Sequence, residues 1–485
     1  MGDAPGLAAL LARVSAADYD AWRRQVVRAG HCVAPVRVRG HASAVDTATG
    51  EVQASFATAD QPDGLLLLAC GDRRAAVCPP CAAVYRRDMV HLVGSGLVGR
   101  GGEAAVPAEV ADHPRVFMTL TAPSFGPVHR ASAGPCRLPP GPRRRCRHGV
   151  PADCGLVHEA DHPVVGTPLC AACYDYTTNV LWHLMAPELW RRTTIAVGRE
   201  LARAASTRLG RRVSVTALRD VLRVSYVKIA EFQKRGAVHF HAILRLDGVD
   251  PADRSRIVAP PAWATSGLLR EAVAGAVGRA SVAMPSPDGR MRVAAWGRQV
   301  DIRDITGGDA KRLAGYLAKY TTKTASDAVG ADAALARRLH VLHPTALRRQ
   351  VGPHLAQMVA TAWKLGGQPG LEALRRWAHQ LGYRGHFATK SRVYAMTLGA
   401  LREARRAWRR RERARSGTSD VWGSAGAVVV GDWAYAGRGY VGIADAAKVA
   451  LMAEEADIAR ADIRHLKRVE KEMRFWGASP VLAAA

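Results

Sequence analysis

The sequence has no run of about 18 apolar residues, so no transmembrane helix is expected. Its opening stretch, MGDAPGLAALLARVSAADYD, lacks a basic segment followed by a long apolar one, which argues against secretion and for a cytoplasmic protein. No G-x-x-x-x-G-K-[ST] loop occurs, so no ATP-driven motor is expected. No internal repeat is found. Acidic residues are outnumbered: 42 Asp and Glu stand against 69 Lys and Arg, giving a net charge of +27. An excess of this size points to a polyanionic partner, nucleic acid foremost. Lysine is scarce. Only ten of the basic residues are Lys, and none precedes Lys228. Five of them (Lys228, Lys234, Lys311, Lys319, Lys323) fall within one hundred positions, which hints at phosphate chemistry there.

What is present begins with length. The chain's 485 residues, 48% hydrophobic, suffice for two to four domains with sizeable cores. Residues 1–30 read as amphipathic helix, with Leu7, Leu11, Val14 and Trp22 as buried positions. Nine cysteines follow in two groups. The first is Cys32, Cys70, Cys78 and Cys81, and the C-x2-C of Cys78 and Cys81 is a knuckle suited to tetrahedral zinc. A redox pair is the other use of C-x-x-C, but no βαβ pattern surrounds it. The second group spans 136–173. Cys170 and Cys173 are the firmest ligands there, completed by Cys146 and Cys154, with His148 as a substitute. His158 and His162 lie in the same stretch, and Cys136 is left over. So few apolar residues occur here that ordering without metal is hard to explain.

The segment Gly236–Leu246 alternates like a strand. Val238, Phe240, Ala242 and Leu244 form a core face; His239, His241 and Ile243 take the other. A three-residue loop Lys234-Arg235-Gly236, with Gly in the left-handed position, makes a favoured hairpin. That register pairs Phe232 with Val238, Glu231 with His239 and Ile229 with His241. Glu231 then joins the two histidines on one face. Such a mixed nitrogen and oxygen set suits Mg2+ or Mn2+ acting as a Lewis acid, with zinc the alternative. An H-x-H in a strand is equally compatible with an ordinary exposed face.

Downstream, Asp309 is placed as the N-cap of a helix running to Lys323. Tyr316 and Tyr320 are four apart and so share a face, with Lys319 and Lys323 on the neighbouring stripe. Phenols flanked by ammonium groups suit attack on phosphate, though a tyrosine pair also packs well on a sheet. Strands are further expected at 116–121, across 212–246 and within 291–305, and a helix from 174 to 209. Helices with Trp363 and Trp377 as core anchors are expected over 331–400. The loop Gly385–Arg392 (with Lys390 and Arg392) and the arginine-rich helix 401–415 (with Arg405 and Arg409) are candidate DNA contacts.

In the order FMTLTAPS, VHFHAI and YLAKYTTK, these motifs resemble the three motifs of HUH endonucleases that initiate rolling-circle replication. The likeness is closest to replication initiators of actinomycete integrative and conjugative plasmids, which share the cysteine-rich stretches, FGPVH (Phe125–His129) and GHFATKSR. It covers roughly Cys32 to Arg415. The resemblance implies an α+β fold: a central antiparallel sheet with flanking helices, a zinc ribbon at 1–98, the HUH domain at 113–330 with a zinc-binding insertion at 136–173, a helical DNA-binding region at 331–415, and a linker and charged helix at 416–485. It makes Glu231, His239 and His241 metal ligands, Tyr320 the first nucleophile and Tyr316 the second. It also implies origin DNA as substrate, host helicase and polymerase as partners, and a bacterial cytoplasm. Relaxases and transposases share this chemistry. Relaxases, however, usually carry the tyrosine near the N-terminus and use three histidines. A zinc-dependent DNA-binding regulator would need no tyrosine pair.

Overall fold

The computed structural model describes residues 5–99, 106–131, 134–136, 145–151, 154–285, 287–323, 345, 351–415, 421–423 and 426–475. Most of the stretch just after 330, where helices were expected, and residues 416–420 of the expected C-terminal linker lie outside these residues. The fold is α+β with antiparallel sheets. Contacts group the chain into two compact units, residues 85–403 and the two terminal stretches together.

The terminal unit is built on strand Val36–Asp46, paired antiparallel with Val52–Ala57, with Leu66–Leu68 and with Ala427–Arg438. The last pairing runs from Val36 opposite Arg438 to Asp46 opposite Ala427. The segment after 426 was expected to be short and β-like; it is a strand of 12 residues. Helix Ile443–Phe475 follows, and its Val449 and Met452 pack against Trp22 and Val26 of helix Tyr19–Arg28. Leu11 and Val14 of the preceding helix are exposed, contrary to the amphipathic reading, and the Leu7 side chain lies outside the described residues.

The central unit holds the larger sheet. Its strands are β1 (Arg115–Thr121), β2 (Leu222–Phe232), β3 (Val238–Val249), β4 (Val300–Asp304) and β5 (Ala388–Lys390), in the spatial order β4-β1-β3-β2-β5. The β2–β3 hairpin has the register expected from its turn, with Phe232 opposite Val238, Glu231 opposite His239 and Ile229 opposite His241. Gly236 supplies the positive φ, 70°, that the loop requires.

The sheet is covered on both faces. Met118, Leu120, Phe240, Ala242 and Leu244 join the main core under helices α1 (Tyr176–Leu209) and α2 (Ser266–Arg279). On the other face, Val227, Ile229 and Ile243 pack beneath Leu92 and Val93 of helix Pro79–Val98 and beneath Ala314, Leu317 and Ala318 of α3 (Ala310–Tyr320).

Several local expectations are corrected. Residues 215–221 are helical rather than extended, because Ser214 accepts a hydrogen bond from the Ala217 N–H as an N-cap. Asp309 does not cap α3: its backbone is already helical, and its carboxylate accepts from Thr306 instead. Part of the Gly385–Arg392 loop is the edge strand β5, pairing Ala388 with Ile229. The 291–305 stretch splits between two sheets, with Val293–Ala295 pairing to Ser281–Ala283 and β4 to β1. Trp363 and Trp377 are half-buried, while Met358, Leu374, Leu381 and Tyr383 are among the fully buried positions of that region.

Candidate active site

Three ligand-type side chains meet near the turn of the β2–β3 hairpin. Glu231 Oε2 lies 2.9 Å from His239 Nε2 and 3.4 Å from His241 Nε2. These separations suit three ligands on one face of a divalent ion, with the opposite positions free for substrate. Alternation along β3 puts both imidazoles on the face away from the main core, and the hairpin register puts Glu231 beside them. His241 is held from behind. Its Nδ1 is 3.0 Å from Thr119 Oγ1 of β1, and Phe117 stacks on its ring at 5.9 Å. This second contact fixes the ring so that Nε2 faces Glu231.

Burial pushes His241 below the ordinary imidazole range, which keeps it neutral and able to ligate. Burial alone would raise the Glu231 carboxyl. Hydrogen bonds with His239 and His241 and the nearby Lys323 charge outweigh it and hold the group at about 2. Lys323, just past the end of α3, donates to Glu231 Oε1 at 3.2 Å.

Helix α3 brings the two tyrosines onto this set. The Tyr320 ring stacks on His241 at 5.2 Å, and Tyr316 meets the same imidazole edge-on at 5.5 Å. The two phenols are 4.9 Å apart, with Tyr316 the more open at 42% exposure. Tyr320 holds its proton more tightly than a free phenol: burial comes first, then the hydrogen bond with Tyr316 and the Glu231 charge. Of the two lysines expected beside the phenols, Lys323 lies over the Tyr320 ring, 5.1 Å from its centroid. Lys323 pairs with Glu231, and Lys319 is exposed on the outer side of α3. Lys228 is not at the site. It is buried on the opposite face of the sheet, with Nζ donating to Tyr383 Oη and the His386 carbonyl and lying over the Phe240 ring.

The cysteines form three further groups. Cys32, Cys70, Cys78 and Cys81 converge in the terminal unit, with Cys32–Cys78 and Cys70–Cys81 sulfur separations of 3.7 Å. A tetrahedron with Zn–S bonds of about 2.3 Å has edges of about 3.8 Å, so the donors fit zinc. Cys146, His148, Cys170 and Cys173 make the second group. Cys154 is not part of it, contrary to the sequence reading, and His148 takes the fourth place. Cys154 instead joins Cys136, His129 and His158. The C-x3-H spacing of Cys154 and His158 was the available signal for this group, and the sequence reading passed over it. All four sets, including Glu231/His239/His241, can hold a metal ion.

Of the candidate DNA contacts, Arg392 and Arg409 are exposed and Arg405 is half-buried. Lys390 turns back on its own loop, donating to the Ser391 and Arg392 carbonyls. Among the described residues, no helix is long and apolar enough to cross a membrane.

No solved structure matches this chain. Residues 18–455 match the family model described as "Replication initiator protein, pSAM2". The chain is also 41% identical over 448 residues to a replication initiator protein of Streptomyces ambofaciens, an alignment covering 90% of this chain and 91% of that protein. With both matches spanning nearly its whole length, the chain belongs to the pSAM2 replication initiator family.

Proposed function

We propose that this protein is an HUH-type tyrosine nickase that starts rolling-circle replication at a plasmid origin. The observation that carries the reading is the contact of two phenols, Tyr316 and Tyr320, with an imidazole of the Glu231/His239/His241 set. A regulator needs no such nucleophile beside a metal-type site.

Bound by Glu231, His239 and His241, Mg2+ or Mn2+ supplies Lewis acidity toward a phosphate oxygen. Tyr320 attacks phosphorus in line, and its proton passes through water to the departing 3′ oxygen. The tyrosine–phosphorus bond forms, the bond from phosphorus to the 3′ oxygen breaks, and that oxygen leaves as a 3′-OH. Because burial and Glu231 hold the Tyr320 proton, its release depends on positive charge brought to the carboxylate. Lys323 sits where it offsets charge on the phosphate side of Glu231. Lys319, on the outer face of α3, contacts the DNA backbone rather than the reacting phosphate.

Tyr316, four residues away and more exposed, attacks the regenerated junction after one round, and the 3′-OH then rejoins the ends. A host polymerase extends the 3′-OH, and a host helicase unwinds the duplex in the bacterial cytoplasm. Lys390, Arg392, Arg405 and Arg409 bind the phosphate backbone of single-stranded origin DNA. The Cys32/Cys70/Cys78/Cys81 and Cys146/His148/Cys170/Cys173 groups each take a structural zinc.

The test is incubation with labelled single-stranded origin DNA and Mn2+, followed by denaturing electrophoresis. A covalent protein–DNA adduct is expected from wild type and not from the Tyr316→Phe/Tyr320→Phe double variant. No wild-type adduct, or an adduct from the double variant, ends the reading.

A further inference from the structure

The order of the insertion's ligands along the chain is informative. His129 and Cys136 come first, then Cys146 and His148, then Cys154 and His158, then Cys170 and Cys173. The first and third pairs form one group, and the second and fourth form the other. The two groups are interleaved, so each one brackets a stretch of chain that carries ligands of the other.

The spacing of the donor atoms matches zinc in both groups. Bonds of about 2.0–2.1 Å to nitrogen and about 2.3 Å to sulfur give tetrahedral edges of about 3.3 Å (N–N), 3.6 Å (N–S) and 3.8 Å (S–S). His129 Nδ1 and His158 Nε2 are 3.3 Å apart, and Cys154 Sγ is 3.1 Å from His158 Nε2. His148 Nδ1 lies 3.2 Å from Cys173 Sγ and 3.7 Å from Cys170 Sγ. The Arg130 N–H points at Cys136 Sγ from 3.4 Å, a contact that favours a thiolate. The backbone joins the first pair to the third: Cys136 N donates to the Leu156 carbonyl, and Cys154 N to the Cys136 carbonyl.

The same segment grips the β2–β3 turn. Gly166 has φ 89°, and a Cβ there would fall 2.5 Å from the Lys234 backbone carbon. Only glycine lets the two backbones approach this closely. Gly166 N also donates to the carbonyl of the ligand residue His129. Lys234 Nζ donates to the Ala160 carbonyl at 2.5 Å, and Tyr174 Oη to the Arg235 carbonyl at 3.3 Å.

We propose that residues 126–173 form a cross-braced module binding two zinc ions, one of them at His129/Cys136/Cys154/His158, and that this module clamps the turn joining Glu231 to His239. Because each ion joins two pairs whose separation the other ion sets, the two bind and leave together. The clamp fixes the hairpin end from which Glu231 and His239 project.

The test is zinc content of the full chain by mass spectrometry. It is measured in the Glu231→Gln background after dialysis against excess Mg2+, so that zinc at the sheet site does not enter the count. Three zinc ions per chain are expected: one at the four-cysteine group of the terminal unit and two in the module. Adding Cys154→Ser is expected to lower the count to one. Adding His158→Cys, which exchanges one zinc ligand for another, should keep three. Hydrogen exchange at the Gln233 and Gly236 amides should rise at least tenfold with Cys154→Ser, while the Phe240 and Ala242 amides stay protected. Two zinc ions in the parent protein overturn the new site, and two in the Cys154→Ser protein overturn the cross-brace. Unchanged exchange in the turn overturns the clamp. If the Cys154→Ser protein proves insoluble, the parent and His158→Cys counts still decide the site.

Discussion

The Glu/His/His set and the Cys/His groups are both clusters of metal-type ligands, but they are built in opposite ways. Glu231, His239 and His241 stand on paired strands with packed cores on both faces. Their positions follow from a ladder that exists whether or not an ion is bound. Among the described residues, the insertion's cysteines and histidines lie on loops and a short 3-10 turn, with two isolated bridges, Val128 to Pro168 and Arg145 to Pro151, in place of a ladder. The first arrangement is prepared for chemistry, since a site that need not reorganise can exchange substrate and ion freely. In the second, a bound metal would make folding and metal binding one event.

This contrast can be broken in four ways. Cys78→Ser should have the largest effect. A structural zinc contributes about 10–16 kcal/mol, comparable to a whole domain's stability of about 5–15 kcal/mol. The terminal unit should therefore lose protection from proteolysis, and an unchanged digestion pattern would show that its thiols only pack. Glu231→Gln should lower Mn2+ affinity, measured by paramagnetic resonance, by more than the roughly 10–100-fold expected for an outer partner. Its unfolding midpoint should barely move, and a large drop would mean the sheet site is not preformed. Thr119→Val, which removes the partner of His241 Nδ1, should cost about 10–100-fold in Mn2+ affinity.

The smallest change expected is in Lys228→Met. Burial lowers the Lys228 ammonium from 10.5 to about 7. Below pH 7 both folded and unfolded chains carry the charge, and the folded state bears the full cost of burying it. Between pH 7 and 10.5 the unfolded chain binds the proton and the folded one does not, so wild-type stability rises with pH. The methionine variant should be more stable by about 1–2 kcal/mol near pH 6, after losing the bonds to Tyr383 and His386. Because wild type gains about 1.4 kcal/mol per pH unit above its folded pKa, urea melts should show this advantage vanishing at about pH 8 and reversing at higher pH.

The parts of the site legible in the sequence were those set by local rules. One glycine in a three-residue loop decides a hairpin register, and with it the place of Glu231. Residues four apart on a helix share a face, which paired Tyr316 with Tyr320. The rest depends on long-range packing. The sequence does not say that α3 lies across β3, or that Lys228 points into the other core, away from Tyr320 and Lys323. The edge strand Ala388–Lys390 reads as a loop because its partner, β2, is about 160 residues away and pairing over such a distance leaves no local pattern. Cys154 goes with Cys146 only on a reading that pairs neighbouring cysteines; its C-x3-H spacing to His158 points to the partner it meets in the structure.

The pairing of Val36–Asp46 with Ala427–Arg438 has a consequence for how the protein is made. At the ribosome's pace of about 5–20 residues per second, the roughly 380 residues between Asp46 and Ala427 take about 20–80 s to emerge. Throughout that interval the first strand has an open edge. A chain that stops early, after the tyrosine helix but before residue 427, keeps every residue of the candidate nicking site and never closes its terminal sheet. Closing that sheet thus requires the chain to have been made past residue 438, and a chain cut short before it keeps an open strand edge of the kind proteases and other chains engage.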